Sequence, residues 1–482
     1  MKVFINFVIG ITVLFFLLTT NINAANNKLA SVDTSGKLIY PATNYQEKYR
    51  NQFHYSPQAG WMNDINGIFY HDGLYHLTYQ HYPYKNEWAD MHWGYATSSD
   101  LLTWQQKNPA LVPGVNSEGM AYSGTAFIDH NNTLGVQKGI LPTVVMAFTD
   151  TKAGQSLVYS TNAGKTWVPY QNNPVLKTPK SLDKIEAQRD PKVFWYEPDN
   201  KWIMVLFEEK KGMLFFSSKN LIDWQYHSTF NAKGFWECPD MFEFTIEGSN
   251  QKKWVLMAPI GTYAIGDFNG EEFIAEQTDL SMFQGIDLYG GQSFFDPIKN
   301  RLIQFVWLGM WNRDPVKSTW NHSVSFPVVL ALEKFGDDLR LTRTPIAEIG
   351  ALYKKQHKFQ SQQIAKNQNI LSNIKSDMFD LQFSIDLTKT KAEKITFNIA
   401  GKEFDYNLNT HAFNTKPIVS ITDKLDFRLL VDKGAIEVFI NNGTFSYAEE
   451  FPFLEKDNSI GFYGDGVISL NELTLSELKS IW

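Results

Sequence analysis

The sequence predicts an all-β protein, a five-bladed β-propeller followed by a C-terminal β-sandwich, on three observations. Helical periodicity is scarce between Phe53 and Ala347, where short aromatic and β-branched runs are bounded by turn residues. A polar phrase ending in Trp recurs at a period of about 60 residues, the length of one four-stranded blade. Past residue 373 the chain returns to two-residue alternation of apolar and polar side chains.

The chain opens on Lys2, an apolar stretch from Phe7 to Leu18, and Ile22-Asn23-Ala24. That is the layout of a signal peptide over residues 1–24, ending at a small residue suited to cleavage. The stretch is short for a bilayer span. A secreted protein, extracellular or periplasmic, with no membrane contact after cleavage is therefore expected.

The propeller is expected over residues 45–350. Its first hairpin runs Gly67-Ile68-Phe69-Tyr70, then His71-Asp72-Gly73, then Leu74-Tyr75-His76-Leu77-Thr78-Tyr79, with Asp72-Gly73 supplying the positive φ angles of a tight primed turn. The recurring phrase is Ser98-Ser99-Asp100-Leu101-Leu102-Thr103-Trp104, echoed at Ser160–Trp167 and again at Ser217–Trp224. Each echo follows a strand-like run, and the length of the region at that period allows about five blades. Residues 351–372, rich in Lys, Gln and Asn, read as a connector. The sandwich is expected over residues 373–482, with strands at Leu381–Ile385, Phe427–Val431 and Ile436–Ile440.

Composition limits the function classes. Hydrophobic residues at 43% and charged ones at 20% describe a globular protein. The net charge of −7, with no basic run beyond pairs such as Lys210-Lys211, repels phosphate backbones and argues against nucleic acid. Aromatics at 15% serve a β-rich core first, and flat platforms for sugar rings second. Cys238 is the single cysteine, so no intrachain disulfide forms. Beside Glu237 its expected role is that of a small buried apolar residue.

Three acidic motifs stand out. Trp61-Met62-Asn63-Asp64-Ile65-Asn66-Gly67 begins the first blade, and by itself Asp64 is explained by a turn. In Gln188-Arg189-Asp190-Pro191-Lys192-Val193, an Arg-Asp pair precedes a hydrophobic strand, which a structural ion pair would also explain. In Gly234-Phe235-Trp236-Glu237-Cys238-Pro239-Asp240 a glutamate sits in apolar company, which favours its protonated form. Together they fall at similar points of successive blades, each at the start of an expected inner strand. Propellers gather such points around one axial pocket. Cleaving a glycosidic bond needs two carboxyls of opposite character, one ionised and one carrying a proton. The histidines His71, His76, His81 and His92 lack metal-site spacing, so no metal and no organic cofactor is expected.

At these residues the sequence resembles glycoside hydrolase family 32, the invertases, levanases and inulinases. The resemblance runs from about Tyr49 to the C-terminus. It includes Phe53-His54-Tyr55-Ser56-Pro57, Tyr79-Gln80, Trp88, His92-Trp93-Gly94, Tyr122-Ser123-Gly124-Thr125-Ala126, Val431-Asp432 and Ile436-Glu437-Val438-Phe439. It implies a retaining hydrolase that releases terminal β-D-fructose from levan, inulin or sucrose, with carbohydrate as its partner. It implies Asp64 as nucleophile, Glu237 as general acid/base and Asp190 as transition-state stabiliser. Asn63, Gln80, Trp88, Ser123 and Arg189 match positions lining the fructose pocket.

Three positions depart from the family pattern. Ile65 replaces the usual Pro, Trp88-Ala89-Asp90 brings an extra acid near the pocket mouth, and Ser325-Phe326-Pro327-Val328 lacks the usual Arg. A fructosyltransferase on the same scaffold, or a non-catalytic fructan-binding protein, stays open as an alternative, as does the linkage preference.

Overall fold

The computed structural model describes residues 29–33, 38–285, 287–309, 319–418, 423–451 and 458–482. The signal segment expected over 1–24 lies outside them. Among the described residues, five sheets follow one another from Gly60 to Pro345, each with four antiparallel strands in chain order, and the first and last each gain a further two-residue strand. Their innermost strands are Gly60–His71, Ala121–Asp129, Gln188–Tyr196, Asp240–Thr245 and Leu288–Asp296, for sheets I to V of the propeller.

Local chemistry sets the strand lengths. The predicted hairpin turn has Asp72 at φ 48° and Gly73 at φ 82°, both in the primed-turn region. The recurring Trp phrase is a turn between the third and fourth strands of sheets I, II and III. Its Ser and Asx side chains bond to each other, Ser98 to Asp100 at 2.9 Å, Ser160 to Asn162 at 2.9 Å and Ser218 to Asn220 at 3.1 Å. The residue after the Asx turns left-handed each time, at Leu101 (φ 66°), Ala163 (φ 56°) and Leu221 (φ 67°). In sheets I and III the Trp indole then donates back to that residue's carbonyl, at 3.1 and 3.0 Å. Side-chain bonds replace the ladder bonds that a strand end gives up.

The ring closes where Trp320–Asn321, inserted in sheet V, pairs in parallel with Gly60-Trp61 of sheet I. The Gly60 N–H donates to the Thr319 carbonyl at 2.8 Å. Only glycine fits there: φ is +89°, and a Cβ would lie 2.3 Å from the Tyr82 carbonyl oxygen.

The C-terminal sandwich packs a large sheet on one built from Lys394–Ile399, Lys402–Asn407, Ala412–Phe413, Lys416–Pro417 and Ile460–Gly464. Its core holds Phe383 stacked on Phe427 at 4.8 Å, with Phe397 and Phe462 against them. Within the connector expected over residues 351–372, ten residues form two strands. Tyr353–Phe359 and Gln362–Ile364 both pair with Ile468–Leu478. Tyr353–Phe359 is an edge strand, where lysines keep further strands from adding.

The two domains are joined by buried charge. His54, ahead of the first blade, bonds through Nδ1 to Asp432 and through Nε2 to Glu437, each at 2.8 Å, and the three side chains are at most 1% exposed. Asp432 also accepts the backbone N–H groups of Gln52, Phe53 and His54. Glu437 accepts that of Phe326 at 2.7 Å. Burial works against the imidazolium, but the two carboxylates outweigh it and hold the His54 pKa up at about 9.

Candidate active site

In sheets I, II, III and V the register of the innermost strand shifts, between Met62 and Ile65, Ala121 and Gly124, Arg189 and Lys192, and Tyr289 and Gln292. A bulge at each point bends the strand and re-aims the residues it contains. Those residues are Asn63-Asp64, Tyr122-Ser123, Asp190-Pro191 and Gly290-Gly291. In sheet IV the corresponding residues, Glu237 and Cys238, immediately precede the strand at Asp240. Three of these backbones are left-handed without glycine: Asp190 at φ 64°, Glu237 at φ 44° and Cys238 at φ 36°. Such conformations cost of order 1–3 kcal/mol each and gather at functional sites.

Asp64 accepts a hydrogen bond from Ser123 at 2.7 Å and one from the Cys238 thiol at 3.3 Å, both on Oδ2. Its Oδ1 is shielded beneath Gly290, whose φ of +59° and missing Cβ make room: a Cβ would sit 2.6 Å from that oxygen. Burial, and then the charge of Glu237, raise the Asp64 pKa, with Ser123 opposing them.

Asp190 is 5% exposed, and its Oδ2 accepts the Cys238 N–H at 3.0 Å. Burial first, and the Glu237 charge second, push its pKa up to about 7, although Arg189 pulls the other way. Cys238 is therefore more than an apolar filler. Its sulfur lies 3.3 Å from Asp64 and 3.6 Å from Asp190, and burial among carboxylates drives its own pKa upward, keeping it a thiol that can donate.

The carboxylate of Glu237 meets polar partners rather than the apolar surroundings expected of it. Arg189 Nη2 donates to Oε1 at 2.7 Å and the Tyr289 hydroxyl to Oε2 at 2.5 Å. Trp236 Nε1 donates in turn to the Tyr289 oxygen at 3.0 Å. Arg189 is braced by Glu209 at 3.0 Å and the Glu186 carbonyl at 2.8 Å.

Asn63 is buried and accepts from the Trp61 indole at 2.8 Å. Gln80 is buried and donates to the Ala121 carbonyl at 2.9 Å, tying sheet I to the strand that carries Ser123. Asn66, with its carboxamide turned so that its oxygen accepts from Gln80, hands its amide to Ser123 Oγ at 3.3 Å. Trp88 is 37% exposed beside Tyr122, at 6.0 Å between rings. The structure thus brings Asp64, Asp190, Glu237, Ser123 and Arg189 into one bonded cluster, with Asn63 and Gln80 supporting it from behind.

Two members escaped sequence reasoning. Tyr289 stands at the start of the fifth inner strand, the same structural point that drew attention to the acids, but it carries no charge. Cys238 stands beside Glu237 in plain sight. Among the described residues no cluster of His, Cys, Asp and Glu is arranged to hold a metal. His76 bonds Tyr95 and the His71 carbonyl, and His81 bonds Tyr40 and the Trp61 carbonyl.

Residues 54–345 match the model of the glycosyl hydrolases family 32 N-terminal domain, and residues 348–477 that of the family 32 C-terminal domain. The chain is 32% identical to a levanase of Bacillus subtilis over 91% of its own length and 72% of that protein. It is 33% identical to an extracellular exo-inulinase of Aspergillus awamori, over 63% of this chain and 66% of the relative. The crystal structure of an exo-inulinase from Aspergillus awamori superposes with a TM-score of 0.81 at 25% identity, covering 91% of this chain and all of the other. Propeller, sandwich and both family models agree, and the chain belongs to glycosyl hydrolase family 32.

Proposed function

We infer that the axial pocket removes terminal β-D-fructose from a fructan or from sucrose by double displacement. The class is secure: the chain is a glycosidase of the β-fructosidase kind, by family and by its levanase and exo-inulinase relatives. The assignment of roles is supported by one observation, that Asp64 and Glu237 stand in one bonded cluster with different partners. Asp64 is held by two neutral donors, Ser123 and Cys238, which orient an anion without neutralising it. Glu237 is steered at both oxygens, by Arg189 and Tyr289.

In the first step Asp64 attacks the anomeric carbon, the bond to the leaving oxygen breaks, and Glu237 gives that oxygen its proton. In the second, Glu237 takes a proton from water, which displaces Asp64 and releases fructose with retained configuration. Asp190, braced by the Cys238 N–H, is placed to hold fructose hydroxyls and to balance charge in both steps. Burial and the charge of Glu237 hold the Asp190 pKa up at about 7, so below that pH Asp190 itself carries a proton. The segment 1–24 and the extracellular inulinase relative support export to the cell exterior or periplasm.

Glu237→Gln tests the roles. General acid help is worth ~10²–10⁴ in rate and matters least for a good leaving group. The variant should lose most activity on sucrose yet release a burst of phenolate from an aryl fructoside. Azide should then accelerate turnover and trap a fructosyl adduct of retained configuration. Equal losses on both substrates, with no burst and no azide effect, would remove Glu237 from the acid/base role.

A further inference from the structure

The large sheet of the sandwich has an outer face of two halves. The half built on Lys424–Asp432, Ala435–Ile440 and Phe445–Glu450 presses Leu430, Phe439 and Ala448 into the hydrophobic core shared with the propeller. The other half is uncovered and lines a groove of about 640 Å³, walled on one side by Thr344, Pro345, Asn442 and Gly443. Across its floor the strand register sets Lys358, Thr474, Gln382 and Arg428 side by side on four neighbouring strands. Adjacent strands lie ~4.8 Å apart, so this row spans roughly 14 Å.

The floor is organised from one end of its own face, by a residue two positions before Gln382 on the same strand. Asp380, fully buried, accepts from Arg428 at 3.1 and 2.8 Å, from the Tyr353 hydroxyl at 2.8 Å and from Gln382 at 3.0 Å. A buried carboxylate that fixes three groups of an open face spends stability on their geometry, which a merely solvated face does not need. The side chains of Lys358, Glu472 and Thr474 make no hydrogen bond to another described residue and line the groove. Its cations, Lys358 and Arg428, are matched by its anions, Asp426 and Glu472, so it offers no net field to an ion. What it does offer is hydroxyl-sized donors and acceptors in a row, with a tyrosine ring beside them. That chemistry suits a neutral polyhydroxyl chain.

We propose that this groove is a second carbohydrate site, one that holds the body of a fructan chain while the propeller pocket works on a chain end. The proposal rests on the β-fructosidase reading, and its consequence is selective for polymers. A groove that grips a chain lowers KM for levan or inulin and leaves sucrose untouched.

The test uses the full-length chain with Lys358→Ala, Gln382→Ala and Thr474→Val combined. Arg428 and Asp380 are kept, because removing either would unbalance the buried ion pair. With three side-chain contacts removed, KM for long-chain levan or inulin should rise ~10-fold or more. kcat/KM on sucrose should stay at the wild-type value. In the Asp64→Asn background, with excess fructose filling the pocket, gel retardation by levan or inulin should persist and should vanish with the triple substitution. Dextran should retard neither. Unchanged KM on both polymers, retardation that the triple substitution leaves intact, or equal retardation by dextran would overturn the proposal. Failure of the β-fructosidase reading itself would show differently, as no fructose release by the wild-type chain from sucrose or from either polymer.

Discussion

Half-buried Asp64 and buried Asp190 in the pocket, and buried Asp432 and Glu437 at the domain joint, are acids set in opposite surroundings. At the joint, each carboxylate shares the His54 imidazolium and accepts backbone N–H groups, so the charges are compensated in place. In the pocket, three acids face one another with one guanidinium among them, and the backbone is left-handed at Asp190, Glu237 and Cys238. The shifts follow: the joint raises the pKa of its cation, whereas the pocket raises those of Asp64 and Asp190. Compensated burial serves cohesion. Uncompensated burial stores the free energy that a reacting substrate can release.

The comparison breaks first at Asp64. Replacing it with Asn keeps the volume and removes both the nucleophile and a half-buried charge. Turnover should fall at least ~10⁴-fold, the scale seen when a nucleophile is lost. The melting temperature should hold or rise. Activity above a tenth of wild type would return Asp64 to the status of a turn residue.

His54→Gln is the mirror experiment. Removing the partner of a buried pair typically costs about 3–5 kcal/mol, because a charge is left behind without compensation. Here the loss should appear as a lower melting temperature, with kcat on sucrose kept in whatever remains folded. The sign of the pH effect is set by a folded pKa of about 9 against an ordinary 6.5. The imidazolium's contribution is fully present below pH 6.5 and is lost as pH rises through 9. Wild type should therefore lose stability over that window more steeply than the variant. Parallel pH–stability curves would mean that His54 is neutral at the joint.

How far the sequence foretold these two regions depends on the range of the interactions. The Ser–Asx–Trp turns are local, closed within eight residues, and so the propeller period could be read from three of them. Sheets IV and V turn instead at Gly270 and Gly336 without the phrase, and only chain length implied them. The acids were legible because each heads an inner strand, whereas the bulges that aim them depend on register with a neighbouring strand. His54 and Asp432 stand 378 residues apart, and nothing periodic in either segment announces their pairing. They were visible only as matches to a family. The strand at Tyr353–Phe359 was not legible, because an exposed edge strand and a polar linker draw on the same residues.

The smallest effect is the sharpest test of the comparison, because it predicts a gain. Asp190 is a carboxyl whose folded pKa, about 7, lies above its ordinary value near 3.8. Burial and Glu237 penalise its ionised form in the folded state alone. The penalty is absent below pH 3.8, builds as pH rises, and is complete above 7. A shift of about three units sets an upper bound of ~4 kcal/mol at neutral pH. An amide at the same position still accepts the Cys238 N–H and carries no charge. The shift already nets the attraction of Arg189 against burial, but an amide also loses hydration when buried there, so the gain should be nearer 1–2 kcal/mol. Asp190→Asn should thus melt a few degrees higher than wild type at pH 7.5, and the difference should shrink towards pH 4, where both side chains are neutral. Activity should be lost in the same variant without recovery in azide, since the charge is needed in both steps. A lower melting temperature at pH 7.5, or a difference that does not change with pH, would mean that Arg189 compensates Asp190 as fully as His54 compensates Asp432.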